Sequence, residues 1–182
     1  GLQSELPVLL AEYDFRSEND INEYLTLLKD FPRYFDELAE YEQAKSDHGL
    51  FMSDELCNEV IGQCEAFISD PNKNILITTF NSRIDDYFSS GDPESKHKIN
   101  DYKSANQEAV TEYVIPAYKK LIGSLTSLLG SGRNSLGLSY YDDGSDYYEL
   151  LVYATTGCDD SVDDIYDSIA DQRISDLKTC GE

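Results

Sequence analysis

Residues 93–129 read PESKHKINDYKSANQEAVTEYVIPAYKKLIGSLTSLL, and this stretch decides the fold class. Ile99, Tyr102, Ala109, Val110, Tyr113, Ala117, Leu121, Leu125 and Leu128 return at helical spacing, so they line one face of a long helix. Pro116 lies inside the run. It has no N–H to bond the preceding turn, and its ring crowds the carbonyl four residues back, so a kink is expected there. Gly130-Ser131-Gly132 then stops the helix.

The same period runs outward on both sides. Upstream, Ser89-Ser90-Gly91-Asp92-Pro93 reads as a loop, preceded by a helix from Asn74 that buries Leu76, Ile77, Phe80, Ile84, Tyr87 and Phe88. Its β-branched run Ile75 to Thr79 would also suit a strand, but the wider 3.6-residue period decides for helix. Ser53 caps another helix, with Asp54 and Glu55 favourable in its first turn; Leu56, Cys57, Val60, Ile61, Cys64, Phe67 and Ile68 form its apolar face. Asp70-Pro71-Asn72 ends it. Earlier still, Ser17 or Asn19 caps a helix carrying Ile21, Tyr24, Leu25, Leu28 and Phe31. Pro32 either breaks or bends that helix or restarts it, and Tyr34, Phe35 and Leu38 continue toward a stop at Gly49. Residues 1–16 show no clear period and are expected to form an N-terminal arm that packs on the rest.

Downstream, residues 130–144 form a glycine-rich connector, with a short extended piece expected at Leu138 to Tyr141. Asp142-Asp143-Gly144 reads as a turn in which Gly144 supplies a positive φ. A helix from about Ser145 to Thr155 precedes Gly157, and Ser161-Val162-Asp163-Asp164 opens the last helix with a capping-box variant that has Asp in place of Glu. The expected fold is all-α: an irregular bundle of about seven helices, one long and Pro-kinked, with short connections favouring antiparallel neighbours. Residues 1–182 make a single helical domain or a segment of a longer protein.

Charge and missing chemistry bound the function. Acids number 36 against 14 Lys and Arg, a formal charge of −22. Such a surface repels nucleic-acid phosphates and anionic lipid, so neither is an expected partner. No apolar run reaches the roughly 18–20 residues of a spanning helix. Cys57 and Cys64 lie seven residues apart on one helix, about 10 Å along its axis, too far for a disulfide. Cys158 with Cys180 is left open as a pair. His48 and His97 have no second histidine at helical spacing, so no two-histidine zinc pair forms. Gly130-Ser131-Gly132-Arg133-Asn134 lacks the G-K-[ST] of a phosphate loop, and no G-x-S-x-G elbow is present. Asp142-Asp143-Gly144-Ser145-Asp146 lacks the alternating acids and terminal glutamate of a calcium loop. No catalytic, cofactor-binding or metal residue is assigned.

Tyrosine is the unusual element, with fourteen copies and no tryptophan. Tyr140-Tyr141 and Tyr147-Tyr148 flank Gly144. Rings with a polar tip suit a cleft wall that meets peptide or sugar, so Tyr141, Tyr147 and Tyr148 are the candidate substrate contacts. The plainer reading is that the tyrosines pack helix on helix with their hydroxyls at the rim.

Several strings, in order, resemble the bacterial family called domain of unknown function 885: Leu6-Pro7-Val8-Leu9-Leu10, Tyr13-Asp14-Phe15-Arg16, Pro32-Arg33-Tyr34-Phe35-Asp36, Gly49-Leu50-Phe51-Met52, Gln63-Cys64-Glu65-Ala66-Phe67, Val114-Ile115-Pro116-Ala117-Tyr118 and Gly144-Ser145-Asp146-Tyr147-Tyr148. The resemblance implies a mostly helical piece of a longer protein similar to zinc peptidases of the gluzincin type. The H-E-x-x-H motif of those peptidases has no match here, so no catalytic or metal role transfers. It further implies that Gly144 to Tyr148, followed by Thr155-Thr156, lines the parent's substrate channel, that the remainder of the parent chain is a partner, and that the parent is a lipoprotein outside the cytoplasm. Ile165-Tyr166 and Ser168-Ile169 depart from the family's usual continuation. The alternative is a stand-alone acidic, Tyr-rich module that binds peptide or serves as structure.

Overall fold

Capping chemistry sets where the helices of the computed structural model begin; it describes residues 1–89, 93–132 and 137–180. Ser17 Oγ accepts the Asp20 N–H while Asp20 Oδ2 accepts the Ser17 N–H at 2.9 Å, which starts α2 (Glu18–Lys29). Ser53 caps α4 (Asp54–Ile68), and Asn74 Oδ1 accepts the Leu76 N–H at 3.0 Å to start α5 (Ile75–Tyr87). Gly49, Gly130 and Gly157 take positive φ where helices stop, the conformation that glycine adopts without a Cβ penalty. The remaining helices are α1 (Leu2–Ala11), α3 (Phe31–Asp47), α6 (Pro93–Ala109), α7 (Ile115–Ser127), α8 (Gly144–Thr156) and α9 (Val162–Cys180). A π-helical turn, Val110–Val114, joins α6 to α7. With that rod counted once there are eight helices where about seven were expected, and no strand occurs among the described residues.

Pro116 explains the wide turn. The Ile115 N–H bonds back five residues to the Val110 carbonyl, and Pro116 falls at the second position of α7, among the N–H groups that a helix start leaves unused. The proline expected to kink the helix is therefore met by a π turn, and the helix runs on to Ser127.

The chain divides into two units, Gly1–Arg133 and Asn134–Glu182. In the first, α7 buries Ile115, Ala117, Tyr118, Leu121 and Leu125 between α3 and α4. Tyr118 lies 4.8 Å from Phe35 and 4.5 Å from Phe67, ring centre to ring centre, and its hydroxyl donates to the Gln3 carbonyl, fastening α1. A second aromatic group, Phe15, Tyr24 and Phe80, sits with centroids 5.2–5.6 Å apart. Over it lies Arg83, whose guanidinium donates to the carbonyls of Leu10, in the last turn of α1, and of Tyr13, beyond its end. Two polar pairs lock α6: Lys98 Nζ with Glu18 Oε1, and Lys103 Nζ with Asp85, each at 2.6 Å.

Helix direction follows the antiparallel expectation in two packed pairs and departs from it in a third. α4 opposes α7, since Asp54, Cys57 and Phe67 meet Gly130, Leu125 and Tyr118 in turn. α5 likewise opposes α6, with Asp85 on Lys103 and Leu76 on Asn106. But α3 runs with α7, because Phe35, Asp36 and Ser46 meet Tyr118, Lys120 and Ser131. The cause is Asp30. Its backbone stays in the right-handed helical region (φ −87°, ψ −8°), so α2 passes into α3 without turning back, and Pro32 restarts the helix at its second position.

In the second unit, Leu138 to Tyr140 lie in a 3-10 turn (Gly137–Tyr140), not the expected extended piece. Tyr141 N–H donates to Leu138 O at 3.1 Å, and Gly144 N–H to Tyr141 O at 3.0 Å, so the chain coils directly into α8. Residues 133–136 of the expected connector, Arg133 and Asn134 included, and 90–92 of the expected loop lie outside the described residues. All four cysteines are free: Cys57 and Cys64 buried, Cys158 half-buried, Cys180 exposed.

Candidate functional site

Gly144 does a different job from the one its turn context suggests. Its φ is not positive; it is the first residue of α8, buried, and a Cβ there would fall 1.7 Å from the Leu138 carbonyl oxygen. Only glycine lets the 3-10 turn press this closely on the helix start. The second wall comes from α9. Ser161 Oγ accepts the Asp164 N–H at 3.1 Å and donates to Asp164 Oδ2 at 2.6 Å, which sets Val162 and Asp163 in its first turn. Between the two helix starts and the 3-10 turn lies an open cleft of about 460 Å³, lined by Leu138, Ser139, Gly144, Ser145, Tyr148, Glu149, Val162 and Asp163.

Of the three tyrosines expected as contacts, Tyr148 lines this cleft. Tyr147 is half-exposed and outside the lining; Tyr141 is partly buried and serves the backbone, its carbonyl receiving Gly144. Ser145 falls in the Gly144 to Tyr148 stretch that the resemblance set along the channel, whereas Glu149 was not singled out from the sequence; they stand three before and one after Tyr148, on the same face of α8. That spacing was the available signal. Asp163 and Val162 arrive from another helix and carry no local signal.

The cleft offers a phenol, two hydroxyls and two carboxylates. Those are acceptors and donors for a peptide backbone or an amine, with the acids favouring positive charge. Among the described residues, no three His, Cys, Asp or Glu side chains converge to hold a metal ion. His48 Nδ1 lies 2.7 Å from the Ala44 carbonyl on α3, and His97 Nε2 lies 3.6 Å from Asp101 on α6. Neither lines the cleft.

Comparison with known proteins places the chain. Residues 1–178 match the family described as "Bacterial protein of unknown function (DUF885)". No curated protein matches. Among solved structures, the putative lipoprotein from Colwellia psychrerythraea is similar over 88% of this chain, with a TM-score of 0.78 and 19% identity. The similarity shows a common fold. This chain spans about a quarter of that protein, the match covering 27% of its length.

Proposed function

The chain belongs to the bacterial DUF885 family, and from that premise we propose that it is a non-catalytic helical segment of a larger zinc-peptidase-like protein, in which the cleft around Gly144 forms part of the wall along which substrate lies. The observation that carries this reading is the cleft itself. Tyr148, Ser145 and Glu149, from one face of α8, line a space beside the turn that Gly144 allows to press on the helix start. Hydrolytic chemistry would then come from the rest of the parent chain, where a metal-bound water and a general-base glutamate would reside. A lipoprotein among the structural relatives accords with a parent outside the cytoplasm. The test is elemental analysis and peptide-hydrolysis assay of residues 1–182. The expected result is no stoichiometric zinc and no cleavage; one tightly held zinc per chain overturns the proposal.

Glu149 and Asp163 in the same lining favour a second reading, a stand-alone module that grips basic peptide. Titration with cationic peptides separates the two. Saturable binding that survives 0.5 M salt and is lost in Tyr148→Ala supports the module. Weak binding erased by salt marks a merely solvated acidic surface.

A further inference from the structure

α9 is nineteen residues long, yet none of its described residues is buried. Tyr166 is 72% exposed, Ile169 64%, Ile174 52% and Leu177 64%. At 100° per residue these four, with Ile165, fall on one half of the helix, while Asp164, Asp167 and Asp171 lie on the other. Ile169, Gln172, Arg173, Asp176, Leu177 and Cys180 border a shallow groove along this half, in which Arg173 and Asp176 are the charged members. A helix in a folded protein draws most of its stability from packing its apolar face, and an uncovered stripe of this kind marks an interaction surface.

Resting on the reading that this chain is part of a longer protein, we propose that the apolar half of α9 is the seat of a helix from the polypeptide that continues past Glu182, and that this helix bears basic residues beside its apolar ridge. Two observations select that occupant. First, the fold recurs in a solved protein of which it covers only 27%, so in that relative most of the polypeptide is available to cover such faces. Second, charge argues against a second copy. α8 and α9 together hold Asp146, Glu149, Asp163, Asp164, Asp167, Asp171 and Asp176 against Arg173 and Lys178, within a chain of net charge −22. Two such faces repel, and anionic lipid is repelled likewise, whereas a basic-flanked helix is attracted.

The experiment follows the reading frame past Glu182 and expresses the polypeptide it encodes as a separate chain beside residues 1–182. Sedimentation and titration calorimetry should show a 1:1 complex, with residues 1–182 alone monomeric. Ile169→Glu with Leu177→Glu should weaken the complex at least tenfold, while the unfolding midpoint of Gly1–Arg133 stays unchanged. Asp167→Lys with Asp171→Lys, which leaves the apolar stripe intact, should weaken it severalfold at low salt and flatten its salt dependence. A frame that closes at Glu182, a complex indifferent to both variants, or a dimer of residues 1–182 dissolved by the first variant overturns the proposal. Association is read without zinc or substrate, so an assembled protein that cleaves nothing would sink the peptidase reading and leave the docking face standing.

Discussion

Single atoms decide two features of this protein. At Gly144, a Cβ would sit 1.7 Å from a backbone oxygen, which no side-chain adjustment relieves. Gly144→Ala should therefore lift the 3-10 turn off α8 and cost about 1–3 kcal/mol locally, as overpacking does. Amide exchange across 138–148 should accelerate while that of α7 does not; unchanged exchange in both would show the contact to be dispensable. At Arg83, a planar fork reaches two carbonyls at once while its face lies 4.6 Å from the Phe15 ring centre. Arg83→Met should lower stability by about 2–3 kcal/mol, leaving the acceptors at the end of α1 without a charged donor. Arg83→Lys should recover less than half of that, since an ammonium cannot span both oxygens or stack on the ring. Denaturant midpoints of the three proteins decide it, and full recovery by lysine would refute the fork.

Elements were legible in the sequence where their signals are local. Ser17, Ser53, Asn74 and Ser161 cap helices in the structure, and Gly49 and Gly157 end them, because a cap involves residues within one turn. The direction of α3 was not legible. Pro32 is compatible with a break, a bend or a restart, and only the helical φ and ψ of Asp30 make α2 and α3 run alongside the long rod instead of folding back. The candidate site divides the same way. Tyr148 could be found from its turn-flanking position, whereas Leu138 and Asp163 are brought to it by folding. Gly144 was placed in the right region for the wrong reason, since a turn glycine and a close-approach glycine look alike in sequence. Pro116 carries the prediction at this scale. A proline in a helix interior costs about 3 kcal/mol, but here it follows a π turn and sits where no N–H is required. Pro116→Ala should change stability by less than about 1 kcal/mol. A gain near 3 kcal/mol would mean that the wide turn does not accommodate the ring.

Across the whole molecule the two units differ in what they bury, and that difference has a pH signature. Gly1–Arg133 encloses Tyr24, Tyr118 and Cys64. Burial pushes the Tyr24 phenol up to about 12, against the weaker opposing pull of Arg83, and the Cys64 thiol up to about 11; it raises Tyr118 as well. Each group is neutral when folded and ionises more readily once unfolded. Their contribution is thus fully present below the unfolded values, 9.0 for the thiol and 10.0 for the phenols, and is lost as pH climbs through the folded ones. Tyr24 alone accounts for about 2–3 kcal/mol by pH 12. In Asn134–Glu182, Tyr140, Tyr147, Tyr148, Tyr153 and Tyr166 are exposed, Cys158 is half-buried and Cys180 exposed. The loss traced to Tyr24, Tyr118 and Cys64 is a loss of the first unit. Urea midpoints should hold to about pH 9 and fall steeply between pH 10 and 12, and Tyr24→Phe should blunt the fall, because phenylalanine fills the same space with nothing to ionise. A midpoint at pH 11 equal to that at pH 8 would mean that water reaches these hydroxyls, and that the aromatic centre of the first unit is not closed.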